Sequence, residues 1–239
     1  LTNYFNFSEQ DYCLKRKLEE KGIVVFLNLE LRLENGNVKD ETCDIHIIFD
    51  NLLDEKEVKC FLASMPAKVV NKRLDSISSK DDYKKAVVNF DDLVECLNDK
   101  SLNLKNRYMI GILSRGKGSS RLSSVFEDIA ERCDFFIHSS DKQKNIEEDK
   151  EYLNSHGKPL LQSSDAHSFE KIGGKFSWIK ADLNFEGLRQ IMFEPSERIS
   201  LGKDNPDSKL DYQVIDSIEL SDARIIYLNS SLNTVIGGR

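Results

Sequence analysis

The sequence predicts an α/β protein built as a TIM-like barrel. Two observations carry that expectation. Apolar runs of strand length recur with helical segments between them, and polar or glycine-rich residues follow the C-terminal ends of those runs, where barrel active sites collect. With 239 residues, 39% hydrophobic and 31% charged, the chain is long enough to bury a core of that size.

Taken in order, residues 22–33 read as a buried strand, Asn35-Gly36 as a turn, and residues 44–49 as a second strand. A polar, helical region extends from residue 53 to about residue 100, and residues 90–97 within it carry helical spacing. The third strand, 108–113, runs into a glycine-rich loop at 114–121 and a helix at 122–132. A fourth strand, 133–138, precedes an acidic helix at 146–155, and a fifth, 158–162, ends in Ser163-Ser164-Asp165-Ala166-His167. These five are expected to be sequential parallel strands. After Gly173-Gly174, residues 176–182 lead to a helix at 185–193, closed by Pro195.

The expected division is a barrel over residues 1–201, a linker over 202–210, and the start of a second unit over 211–239, with strands at 215–220 and 225–228. Leu1 in place of a methionine, and last residues that stop at the end of an apolar run, predict a piece of a longer protein.

Composition excludes some roles. Acidic residues outnumber basic ones by 41 to 34, a net charge of −7, which argues against a surface that coats nucleic acid backbones while leaving room for a local basic groove. The five cysteines include no C-x-x-C pair, so reduced thiols and a cytoplasmic location are expected. No run approaches the ~20 apolar residues of a membrane span, and no signal-peptide pattern opens the chain.

Asp165 and His167 lie two apart, so a continuing strand points both to one face, where carboxylate and imidazole reach one divalent ion. Glu30 interrupts an apolar strand, and an unpartnered carboxylate there costs several kcal/mol; it is either a metal ligand or a strand-end glutamate beside Arg32. His46 shares a face with Asp44 and Ile48 and reads as a ligand or as a hydrogen-bonded core residue. His138 ends a strand and is a candidate ligand or proton-transfer group. His156 precedes a strand at the opposite end and reads as a helix-terminus histidine. The 114–121 loop either cradles a phosphate, with Arg115, Lys117 and Arg121 adding charge, or is a flexible loop with solvated cations. It lacks Walker A spacing.

Together, Glu30, His46 and Asp165-Ala166-His167, in this order on successive strands, resemble the PHP family of metal-dependent phosphoesterases. That resemblance implies a distorted seven-stranded βα barrel, two or three zinc, manganese or iron ions, and Glu30, His46, Asp165 and His167 as metal ligands. Residues 1–5 then look like the family's second motif, and strand one, with its H-x-H, falls upstream of Leu1. Ser164-Asp165-Ala166-His167-Ser168, Phe185-Glu186-Gly187-Leu188 and Phe193-Glu194-Pro195-Ser196-Glu197-Arg198 are similar to TrlF-type proteins, in which a PHP domain is fused to an ABC or SMC-like ATPase of the DNA-repair kind.

On that likeness, residues 228–239 enter a Walker A loop whose first nucleotide-binding residues are Gly237 and Gly238. Its lysine is absent from this sequence, so ATP and magnesium, and dimerisation through the ATPase, belong to the full-length protein. Tyr4 and Ser114 stand where the family supplies histidines. The implied activity is hydrolysis of a phosphorylated small molecule or nucleic acid end, with His138, Arg115 and Lys117 holding the phosphate or protonating the leaving group. The alternatives are a catalytically degenerate scaffold that binds or regulates, and a different metal-dependent hydrolase, such as an amidohydrolase, on a similar barrel.

Overall fold

The computed structural model describes residues 1–36, 42–114, 124–138, 143–154, 156–162, 164, 166–202, 205–206 and 215–228. The chain forms two compact units, Leu1–Lys203 and Asp204–Arg239.

The first unit opens with β1 (Thr2–Tyr4) and α1 (Glu9–Glu19). Ser8 and Asp11 start α1 with a capping box, each accepting a backbone N–H from the other. Strands β2 (Asn28–Gly36) and β3 (Thr42–Phe49) follow. Asp54 and Glu57 box the start of α2 (Glu55–Ser64) in the same way. The two-residue strands β4 (Pro66–Ala67) and β5 (Lys72–Arg73) pair antiparallel. Helix α3 (Lys80–Lys85) begins at a third box, Ser79 with Asp82, and α4 (Phe90–Leu97) at Asn89. Next come β6 (Tyr108–Leu113), α5 (Ser124–Arg132), β7 (Phe135–His138), α6 (Gln143–Asn154) and β8 (Leu160–Gln162). The unit closes with β9 (Ser177–Ile179), α7 (Phe185–Gln190), α8 (Pro195–Arg198) and β10 (Ile199–Leu201), the last pairing with β9.

Six strands form one sheet in the order β1-β2-β3-β6-β7-β8. The expectation of five sequential parallel strands is corrected at β3, which runs antiparallel to both β2 and β6. The reason is chain length: β2 ends at Gly36 and β3 starts at Thr42, whereas a parallel neighbour needs a crossover of about a dozen residues or more. Helices α5 and α6 supply such crossovers, and β6/β7 and β7/β8 are parallel, as is β1/β2. The result is a mixed α/β fold with a mostly parallel central sheet and eight α-helices among the described residues. The strand expected at 22–33 is displaced to Asn28–Gly36, because β1 pairs only from Asn28 onward; Gly22, at φ +81°, closes the turn that leaves α1.

The register gives the sheet two different faces. One carries Leu29, Leu31, Ile45, Ile47, Ile112 and Phe136, all at 0% exposure, and packs beneath Tyr12 of α1, Phe61 of α2, Leu93 of α4 and Ile129 of α5. On the other, Tyr4, Glu30, His46, Gly111 and Phe135 are successive partners in a single lateral row. Met109 and Phe135 pack there against Phe185 of α7. A Cβ on Gly111 would lie 2.3 Å from the Phe135 ring, so the glycine lets that ring cross β6.

In the second unit β11 (Ser217–Glu219) and β12 (Ile225–Tyr227) form an antiparallel hairpin.

Candidate functional site

Two groups of polar side chains occupy the sheet of the first unit, on opposite faces. The first is set by the β2–β3 hairpin. Glu30 and His46 are direct partners across its ladder, and Tyr4, at the end of β1, flanks Glu30 from the other side. All three are half-buried. The Asn28 carboxamide lies 2.9 Å from Thr2 Oγ1 and 3.0 Å from His46 Nδ1, with donor and acceptor roles that follow the imidazole tautomer. Further along β2, Arg32 Nε sits 3.7 Å from the buried carboxylate of Asp44, while Nη1 donates to the Tyr83 and Lys84 carbonyls at 3.1 Å. Those carbonyls belong to the last turn of α3, so Arg32 both counters Asp44 and caps the helix.

The second group sits at the C-terminal ends of β6 and β7. Asp149 of α6 accepts a hydrogen bond from Ser114 Oγ at 2.8 Å, and the same carboxylate oxygen lies 2.8 Å from His138 Nδ1. Ser114, His138 and Asp149 are 1%, 3% and 2% exposed, so a carboxylate has been taken out of water and, among the described residues, given these two partners. His138 Nε2 is buried with no hydrogen-bond partner among the described residues. In the tautomer that donates Nδ1–H to Asp149, Nε2 is the ring nitrogen that carboxylate-anchored histidines present to metal ions. Ser114, at the strand end where a histidine is expected from the resemblance, is engaged by Asp149.

These groups do not converge on one ion. His46 lies in the Phe135 row, and His138 is three residues past Phe135, two strands away. At ~3.3 Å per residue and ~4.8 Å per strand, their Cα atoms are about 14 Å apart, and their side chains leave opposite faces. The structure therefore brings Glu30 and His46 together but separates His138 from them. His167 is exposed beyond β8. Asp165, Arg115 and Lys117 lie outside the described residues, as do Gly237 and Gly238. Among the described residues no group of three or more His, Cys, Asp or Glu is placed to hold a metal ion.

His156, before β8, packs its ring 5.6 Å from that of Phe136. All five cysteines are free, and burial pushes the Cys133 thiol up to about 12 and raises Cys43 as well, which keeps both protonated and unreactive. Sequence reasoning missed Asp149. It stands in Glu147-Glu148-Asp149-Lys150-Glu151, where nothing marks one acidic residue as buried. No protein-family model matches the sequence, and no curated protein matches it.

Proposed function

We propose that the chain is a metal-dependent phosphoesterase domain of PHP-like barrel form, acting on phosphate esters such as nucleotides or nucleic acid ends and belonging to a larger ATPase of the DNA-repair kind. The observation that carries this reading is the His138 imidazole at the C-terminal end of a parallel strand, anchored through Nδ1 on Asp149, its buried Nε2 without a hydrogen-bond partner among the described residues. An orphan acceptor costs about 1–3 kcal/mol, and a divalent cation removes that cost. The donor types suit zinc, manganese or iron: the His138 imidazole on one face of the sheet and, separately, Glu30 beside His46 on the other.

A divalent cation there supplies positive charge to the phosphoester oxygens. The chain's own residues do the rest. Asp149 fixes the His138 tautomer and ring orientation, and Ser114 Oγ occupies part of the same carboxylate, so the imidazole cannot rotate away without breaking a buried hydrogen bond. Glu30 stands beside His46 across the β2–β3 ladder on the other face.

The test is hydrolysis of p-nitrophenyl phosphate and its bis-ester by the full chain, with manganese or zinc and after chelation. Chelator-sensitive turnover is expected, with a roughly 10- to 100-fold loss in His138→Ala. Absence of metal-dependent turnover, or a His138→Ala protein that turns over like the parent, contradicts the proposal. A second reading, a degenerate scaffold that binds without hydrolysing, is favoured by one observation: Ser114, at an expected ligand position, is hydrogen-bonded to Asp149. Metal retention without turnover selects it.

A further inference from the structure

The edge of β2 carries a notch that the metal chemistry does not use. Strand β1 covers β2 only as far as Glu30, the chain turns away at Phe5 (φ +57°), and pairing on that edge resumes at Val88, which bridges Leu33. The gap between these two partners is a cavity of about 780 Å³, lined by Tyr4, Arg32, Thr42, Tyr83, Lys84 and their neighbours. Its volume falls in the range of small-molecule sites, and inorganic phosphate would leave most of it unfilled.

The lining residues present ring surface and positive charge together, with no carboxylate among the described ones. Arg32 is held in place: Nε faces Asp44 and Nη1 is bonded to the two α3 carbonyls, which leaves the Nη2 donors without a partner among the described residues. A guanidinium so fixed loses little freedom when an anion binds. Lys84, exposed on the rim, is in no ion pair among the described residues and adds a second cation. The Tyr83 ring is braced by Phe5, with centroids 6.3 Å apart, and its hydroxyl donates to the Ile77 carbonyl at 3.4 Å. A braced phenol beside a fixed guanidinium and a free ammonium suits a flat heterocycle carrying a phosphate.

We propose that this notch binds a nucleoside monophosphate, either free or as the terminal residue of a strand, with the phosphate on Arg32 and Lys84 and the base against Tyr4 and Tyr83. Binding needs no metal, so it stands or falls separately from the phosphoesterase reading. Isothermal titration of the full chain in chelator, with AMP, adenosine, inorganic phosphate and a 5′-phosphorylated trinucleotide, tests it. AMP or the trinucleotide should bind at least ~10-fold tighter than phosphate or adenosine. The tighter of those two identifies the free nucleotide or the strand end as the source.

Lys84→Glu, on an exposed side chain, should weaken AMP binding by about tenfold or more, and Tyr4→Leu should weaken AMP while leaving phosphate unchanged. AMP and the trinucleotide binding no tighter than phosphate, or Lys84→Glu binding AMP like the parent, overturns the proposal.

Discussion

Asp149→Ala is expected to destabilise the first unit by about 3–5 kcal/mol. The carboxylate is 2% exposed and takes hydrogen bonds from Ser114 Oγ and His138 Nδ1 on one oxygen. Alanine removes both at once, leaving a buried hydroxyl and a buried imidazole N–H whose water partners were surrendered on folding. Each orphan costs about 1–3 kcal/mol, more than the net value of the bond it made, because desolvation is not recovered. The methyl group cannot fill the space between α6 and the ends of β6 and β7, and a small cavity adds to the loss. In a unit of this size the melting temperature should fall by roughly 6–20 °C. Asp149→Asn keeps an acceptor oxygen and should cost less, about 1–2 kcal/mol. Urea unfolding of the two variants reads the difference; a loss below about 1 kcal/mol for alanine would mean that His138 and Ser114 find other partners.

Phe61→Ala should cost a similar amount, about 3–5 kcal/mol, for a different reason. Phe61 is at 0% exposure and meets Phe49, also at 0%, edge-on, with ring centroids 5.6 Å apart and planes at 66°. Phe49 is the last residue of β3 and Phe61 lies in α2, so this one contact ties the antiparallel strand to the helix that follows it. Truncation loses the transfer free energy of the ring and leaves a void that the surrounding sheet cannot collapse into. Phe49→Ala and the double variant complete a cycle; the ring pair itself should account for about 0.5–1.5 kcal/mol of coupling. Strictly additive losses would show that the two rings contribute only by burial.

Both contacts bear on what a linear reading reaches. The strands at 44–49, 108–113 and 133–138 are legible because their apolar runs have one length and sit between turn signals, and His138 is legible as a polar residue closing one of them. The direction of β3 was also within reach, since Asn35-Gly36 and the next strand stand too close for a crossover. Once that hairpin is recognised, Glu30 and His46 follow as cross-strand partners.

What sequence could not supply is depth. Asp149 is one of four acidic residues within 147–151, and only the packing of α6 over β7 decides which of them is buried. The Arg32 to Asp44 contact and the α3 carbonyls that complete it depend on a return of the chain at Tyr83 and Lys84, far from Arg32 in sequence. Nor does strand order reveal that His138 and His46 leave opposite faces. That follows from counting register across β3, β6 and β7.

The measurement closest to the central claim is the divalent metal content of the full chain after exhaustive dialysis, compared with that of His138→Ala at matched circular dichroism. The His138 ring, anchored through Nδ1 on Asp149, predicts at least one transition metal ion per parent chain and a clear loss in the variant. A parent chain without bound metal, or a His138→Ala chain that retains the same amount, would contradict the assignment of His138 as a ligand.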